Sequence, residues 1–286
     1  MANDDYIHAL HRANRENRAR ISAGLSPNLQ VLDEMLSIEN IATQENLGLV
    51  NIPMEQIVGT KTSGRQSAFN AGFMPTLPAD TEFSDKWSNL STIHLQEGIR
   101  VPIKAYEYMN KFYIEEGNKR VSVLKYFGAV SIPGTVTRII PQKDGSLENM
   151  IYHDFLTFYR YTGINYIWFT RAGSFAKLCT ATYKGANELW SQEDRQNFAS
   201  FYYMFRTQFE MLDGNALGLT AADAILVYLS VHRYSDSIAA PGNIILQNLK
   251  KIWDEITVLT QPQAVELSLE PQNLPSSTPL LSKILP

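Results

Sequence analysis

The segment with the clearest chemistry is Phe112-Tyr113-Ile114-Glu115-Glu116-Gly117-Asn118-Lys119-Arg120-Val121-Ser122-Val123-Leu124-Lys125-Tyr126-Phe127-Gly128. Aromatic and β-branched residues read as a strand through Glu115. Gly117 breaks it, and Val121, Leu124, Lys125 and Phe127 then follow helical spacing up to Gly128. The first backbone N–H groups of a helix have no partner within it, and the helix dipole favours negative charge there. Glycine at such an entry permits close approach of the backbone or a positive φ. Lys119 and Arg120 place two cations where the dipole prefers Asp or Glu. Two readings of this spacing stay open: a phosphate or carboxylate site, or two cations that are solvated or paired with Glu115 and Glu116.

Such a turn has to be held by its neighbours. Residues 99–106 read as a strand, 108–111 as a hairpin turn, 112–115 as the returning strand and 132–140 as a further strand. A helix is expected over 84–97, with Ser84 as its cap, Trp87, Leu90, Ile93 and His94 near one face, and Gly98 ending it. Upstream, 47–53 reads as a short strand and 54–57 as one helical turn. The stretch 59–78, with three glycines and two prolines, reads as a long loop of the kind that is usually functional. At the N-terminus, 4–22 reads as a polar helix with basic Arg12, Arg15, Arg18 and Arg20. A second helix starts at Ser26 and Pro27 and carries Leu29, Leu32, Met35 and Leu36.

Beyond about residue 150 the pattern turns helical. Residues 163–170 (GINYIWFT) are one strand candidate, followed by a helix over 173–188. Ser191 with Asp194 and Thr220 with Asp223 are capping-box pairs opening helices to Leu212 and Arg233. A last amphipathic helix spans 241–258, and the proline-rich, weakly charged stretch 261–286 reads as a linker into something that follows. The expected organisation is accessory helices over 1–46, an α+β domain over 47–145, a mostly helical domain over 146–260 and the linker.

Composition narrows the function classes. A chain of 286 residues that is 44% hydrophobic can bury two cores. Its net charge of −4 argues against a surface that binds nucleic acid over a whole face. The lone cysteine, Cys179, excludes an internal disulfide and reads as a small buried hydrophobe. The polar N-terminal stretch has no apolar core of a signal peptide, and no run is long enough to span a membrane, so a cytoplasmic protein is expected. His8, His11, His94, His153 and His232 show no metal-ligand spacing, and neither a P-loop nor a Gly-x-Ser-x-Gly pattern occurs. Phe198, Phe201, Tyr202, Tyr203, Phe205 and Phe209 read as helix core. Residues 221–233 are too apolar, with no cation before Arg233, to read a DNA groove.

The order of these motifs resembles the ParB/sulfiredoxin superfamily. Glu116-Gly117, the basic pair Lys119-Arg120 and the helix end Gly128 match its strand–acidic–Gly–polar–basic–Arg box. Ile52-Pro53-Met54-Glu55-Gln56-Ile57 resembles its opening strand and turn. Leu90 to Ile103 resembles its helix and strand entry, and Arg65 falls near the arginine of its first box. The resemblance covers about one third of the chain. Asn118 stands where ParB proteins carry Glu, and no cysteine occupies the turn, so sulfiredoxin activity is not expected. A wider resemblance, carried by Gly64 to Phe69, Lys86 to Leu90, Glu115 to Val123 and Leu219 to Ala224, is to a bacterial family in which this region precedes a BMP-type periplasmic-binding-like domain.

What the resemblance implies is a nucleotide- or phosphometabolite-binding regulatory module. Gly117, Asn118, Lys119, Arg120, Gly64 and Arg65 would hold phosphate, with a nucleoside di- or triphosphate and Mg²⁺ as the cofactor class. Glu116 would orient a hydroxyl or a hydrated Mg²⁺. A small-molecule kinase or nucleotide hydrolase with Glu115 or Glu116 as base, a DNA-binding partition-type protein, and a structural adaptor with a dead site are the alternatives. A homo-oligomer is compatible with each.

Overall fold

The computed structural model describes residues 2–185 and 187–259, so the linker expected over 261–286 lies outside the described residues. The chain divides into two compact units, Met1–Ile167 and Trp168–Pro286.

The first unit contains α1 (Ala2–Ser22), β1 (Gln30–Val31), α2 (Leu32–Met35), β2 (Ile41–Pro53), β3 (Ile57–Thr60), α3 (Glu82–Glu97), β4 (Ile103–Tyr108), β5 (Lys111–Glu116), α4 (Asn118–Tyr126), β6 (Ser131–Pro141) and α5 (Leu147–Thr162). Its strands form one six-stranded mixed sheet in the order β1-β3-β5-β4-β6-β2. The β1/β3, β3/β5 and β4/β6 pairs are parallel, and β4/β5 and β2/β6 are antiparallel.

Successive residues of a strand point to opposite faces, and β5 uses both. Phe112 and Ile114 enter the main core with Val121 and Leu124 of α4, whereas Tyr113 packs with Leu32 and Ile139. The β4–β5 hairpin closes on Met109 and Asn110, both at positive φ (53° and 56°), as a two-residue turn that matches strand twist.

Several expectations are corrected here. The second N-terminal helix is replaced by β1 and the single turn of α2. The apolar spacing of Leu29 and Leu32 is satisfied by burial beside a strand that pairs with Gly59 and Thr60, and Met35 is half-exposed. β2 begins at Ile41 rather than residue 47, with most of its first half exposed. The 59–78 stretch is ordered: Ile57–Thr60 is a strand, and Ser63–Ala68 forms a 3-10 helix.

Buried Asn70 shapes the rest of that stretch. Its Oδ1 accepts from the Gly72 and Met74 N–H groups at 3.0 and 2.8 Å, and its Nδ2 donates to Glu16 of α1 at 3.0 Å. Gly59 is required because a Cβ there would lie 2.2 Å from the Gln30 carbonyl oxygen. The cap of α3 is Thr81, with Ser84 as the reciprocal partner of a capping box.

The first compact unit runs past residue 145 and takes in α5. A buried polar cluster ties α5 to the sheet. Glu107 accepts hydrogen bonds from Arg138 Nε, the Asn110 N–H (2.6 Å) and Tyr152 OH (3.0 Å), and the Arg138 guanidinium lies 4.3 Å from the Tyr159 ring centroid. Glu107 and Tyr152 are fully buried, and Arg138 nearly so.

The second unit is helical over the described residues: α6 (Ser174–Ala181), α7 (Gln192–Met211), α8 (Ala221–Val231), α9 (Tyr234–Ile238), α10 (Gly242–Lys251) and α11 (Trp253–Val258). Both expected capping boxes form, at Ser191/Asp194 and Thr220/Asp223. Phe198, Phe201, Tyr202, Phe205 and Phe209 are buried on α7, and Tyr203 stays half-exposed.

The strand expected over 163–170 does not form. Its last residues are held by the cap of α8, where Thr220 Oγ1 donates to the Trp168 carbonyl (2.6 Å) and Asp223 accepts from the Thr170 N–H (3.1 Å). The expected 241–258 helix breaks at Ile252 into α10 and α11, and α9 precedes it. α8 buries Ala221, Ala222, Ala224, Ile225 and Tyr228, and Cys179 is buried on α6. No helix among the described residues is long and apolar enough to cross a membrane.

Candidate anion-binding site

β5 ends at Glu116, and the chain turns into α4 through Gly117 at φ +110°, ψ 18°. A Cβ at Gly117 would sit 2.5 Å from Ile103 Cγ2, so both the conformation and the close packing require glycine. The N-cap of α4 carries no side-chain hydrogen bond, which leaves its first N–H groups available. In front of them opens a cavity of about 240 Å³. Glu115, Glu116, Gly117, Asn118 and Lys119 line one side. Arg65 and Phe69 of the 59–78 stretch and Phe83 of α3 close the other.

Lys119 and Arg65 are the cations of the cavity. Lys119 Nζ lies 4.5 Å from the Phe83 ring centroid, and among the described residues neither cation has an ion-pair partner. Burial pulls the Lys119 ammonium below its usual range, and the positive charges of Lys86 and Arg65 push it further down. Like charges have therefore been gathered in one place. Lys86 pairs with Glu82 at 2.5 Å, whose charge also acts weakly on Lys119, while Arg65 is exposed and neither Arg65 nor Lys119 has an ion pair among the described residues.

Asn118 is 7% exposed, and its fully buried Oδ1 has no hydrogen-bond partner among the described residues. Buried polar side-chain atoms are ordinarily paired, so this acceptor is an unfavourable feature of the α4 start.

The remaining residues chosen from sequence go elsewhere. Arg120 does not line the cavity. Its Nη1 donates to the Val101 and Pro102 carbonyls at 2.9 and 2.6 Å, and its Nη2 lies 3.5 Å from Glu116. It pins the segment entering β4 to the start of α4. Glu116 is held by Lys104 at 3.1 Å, while Glu115 stays exposed at the rim without an ion pair among the described residues. Gly64 is outside the cavity lining and lies beside Arg65 in the 3-10 helix.

Sequence reasoning missed Phe69, Phe83 and Lys86. Phe69, Lys86 and Trp87 fall within segments that carry the wider resemblance, but their approach to α4 is a tertiary fact with no local signal. Among the described residues there is no cluster of three or more His, Cys, Asp or Glu that could hold a metal ion. Glu115 and Glu116 are thus the carboxylates available at this site, and Glu116 is already paired. No family model matches this chain, and no curated protein matches it.

Proposed function

We propose that the first unit is a ParB/sulfiredoxin-like nucleotide- or phosphometabolite-binding module. A phosphate would be held by the free N–H groups at the start of α4 and neutralised by Lys119 and Arg65. The observation that carries this reading is the pair of cations, without an ion pair among the described residues, that line one cavity with an uncapped helix start. A desolvated anion contacting both would relieve their mutual repulsion and satisfy the N–H groups at once. The aromatic walls, Phe69 and Phe83, offer apolar surface for the remainder of the ligand. A nucleoside di- or triphosphate fits this chemistry. Mg²⁺ would then be held mainly by the phosphates, with Glu115 as the open carboxylate.

One observation favours a second reading, phosphoryl transfer or hydrolysis: Glu115 stands at the rim, exposed and without an ion pair among the described residues, where it could act as a base. The test of both is thermal unfolding against inorganic phosphate and nucleoside di- and triphosphates, with and without Mg²⁺, on the protein and on Lys119→Ala. A ligand at 100 times its Kd adds about 2.7 kcal/mol to stability. A stabilising ligand whose effect disappears in Lys119→Ala supports the site, and no effect from any of them refutes it. Turnover that is lost in Glu115→Gln while binding persists would establish the catalytic reading.

A further inference from the structure

α1 packs into the first unit along a stripe of Tyr6, Ala9 and Ala13, each fully buried. The next place in that helical spacing is taken by Glu16. A carboxylate at such a place needs partners, and Glu16 has them: Arg12 Nε donates to its Oε1 at 2.7 Å, and Asn70 Nδ2 donates to its Oε2 at 3.0 Å. Near the start of the helix, Tyr6 OH donates to the Leu77 carbonyl at 2.8 Å. α1 thus holds the 59–78 stretch from both sides of its turn, and that stretch carries Arg65 and Phe69 to the anion site.

The two ends of the buried Asn70 amide separate the folding of this stretch from its docking. Oδ1 closes the inner turn on the Gly72 and Met74 N–H groups, whereas Nδ2 reaches out to α1. Removing the Glu16 carboxylate therefore leaves the inner turn intact and takes away its seat on the helix. Arg65 depends on that seat. It is exposed, and among the described residues its side chain makes no hydrogen bond or ion pair, so its place is set by the backbone that presents it. Phe69 precedes Asn70 in the chain and packs edge-on against Phe83, with ring centroids 5.3 Å apart, and Tyr6 of α1 meets the same Phe83 ring at 6.4 Å. The aromatic walls of the cavity are backed by α1 or by the residue that α1 holds.

We infer that α1 governs the anion site: Glu16, acting through Asn70, positions Arg65 and Phe69, so that docking of α1 and binding of the anion strengthen each other. The inference rests on the phosphate reading given above and names the element that regulates that site. Coupling of this kind is reciprocal, because an anion that fixes Arg65 also fixes the stretch on which α1 sits. Glu16 and Asn70 are positioning residues, since neither lines the cavity. Gly72 offers an independent handle on the same contact. A Cβ there would lie 2.6 Å from Glu16 Oε2, so a methyl group displaces the carboxylate without altering its chemistry.

The test is calorimetric titration of the whole chain with inorganic phosphate and with ADP, repeated on Glu16→Ala, Glu16→Gln and Gly72→Ala. Hydrogen exchange of the α1 amides is followed in the unaltered protein with and without the probe that binds. Affinity should weaken at least about fivefold in Glu16→Ala and Gly72→Ala, the lower end of coupling between sites. It should stay within about twofold in Glu16→Gln, which keeps an acceptor for Asn70. In an Arg65→Ala background, Glu16→Ala should add no further loss, because it acts through Arg65. Bound anion should slow exchange in α1 more than in α5, which does not line the cavity; a merely structural role for Glu16 would not produce that difference. If the unaltered protein binds and Glu16→Ala and Gly72→Ala keep its affinity, or if Glu16→Ala costs as much without Arg65 as with it, the inference fails while the phosphate reading stands. Exchange in α1 that the anion leaves unchanged overturns it as well, even where a variant does not fold. Binding of neither probe overturns both.

Discussion

Lys119 and Arg120 are neighbours with the same charge in the same helical turn, and the structure gives them separable roles. Lys119→Ala removes a cation that has no ion-pair partner among the described residues and is repelled by Arg65 and Lys86. Folding without ligand should change little. Losing the contact with Phe83 costs about 0.5–1 kcal/mol, and relief of like-charge repulsion offsets a similar amount. Anion binding should suffer instead. A charge-assisted hydrogen bond contributes about 1.5–3 kcal/mol, so the phosphate Kd should weaken roughly 10- to 150-fold. Arg120→Ala reverses the pattern. It deletes two hydrogen bonds to the Val101 and Pro102 carbonyls, and stability should fall by about 2–3 kcal/mol, because those carbonyls recover water only in part. Affinity per folded molecule should stay within about twofold. Urea unfolding gives the stability of each variant, and titration well below the unfolding midpoint gives the affinity. If Arg120→Ala abolished binding at full stability, or Lys119→Ala destabilised the chain while leaving affinity unchanged, the assignment of roles would be wrong.

Three further outcomes follow from the same geometry. Gly117→Ala forces a side chain into φ +110° and against Ile103, so it should cost at least about 2 kcal/mol in urea unfolding and remove anion binding with it. Breaking the buried cluster with Arg138→Met should cost about 3–5 kcal/mol, because Glu107 is left buried without its counter-ion; adding Glu107→Leu should recover part of that loss, as a double-mutant cycle would measure. Lys125, buried with its ammonium on the Ile57 carbonyl, is pulled down to about 8 by burial. Between that value and the usual lysine range the unfolded chain holds a proton that the native one releases, so stability should rise with pH through this window, by on the order of 3 kcal/mol in full. The rise should be smaller in Lys125→Met, leaving the part that Lys119, also held below the usual lysine range, contributes. The comparison is made below pH 10, because Tyr6 and Tyr113, pushed up to about 12, reverse the slope above it.

Local chemistry was legible in the sequence wherever one residue type sufficed to specify a conformation. Gly117 marked the turn, Ser191/Asp194 and Thr220/Asp223 marked helix starts, and the aromatic and β-branched residues on either side of 108–111 marked the β4–β5 hairpin. What failed depended on a distant partner. The first half of β2 is exposed on both faces, so no apolar period announces it, and its order comes from pairing with β6. β1 is two residues long and exists because Gly59 lets the Gln30 carbonyl approach. The 59–78 stretch looked like a loop because its glycines and prolines were counted without Asn70, whose four hydrogen bonds organise it from within. Glu107 sat at an alternating, core-facing strand position, and that polar residue in an apolar place was the readable hint of a buried partner.

The cations at the start of α4 show how such a conflict discriminates between readings. Placing positive charge against a helix dipole is unfavourable, so each such residue calls for a compensating contact. For Arg120 the compensation is internal: two carbonyls and a nearby carboxylate absorb the charge, and the sequence-level argument for a ligand fails at that residue. Lys119 has no such partner. Its surroundings add Arg65 and Lys86 to an already unfavourable position, and the apolar faces of Phe69 and Phe83 withhold water from the same space. A solvated surface face would spread these charges apart, and a structural ion pair would supply a carboxylate. Here Glu116 is turned to Lys104 and Arg120, and Glu82 to Lys86. Of the cavity-lining residues, Lys119, Arg65 and Glu115 lack an ion pair among the described residues, and Lys119 is the one that burial and neighbouring positive charge pull below its usual range. An anion in that cavity relieves this repulsion, and Lys119→Ala without any anion should relieve part of it too, which is why that variant is expected to lose ligand affinity without losing stability.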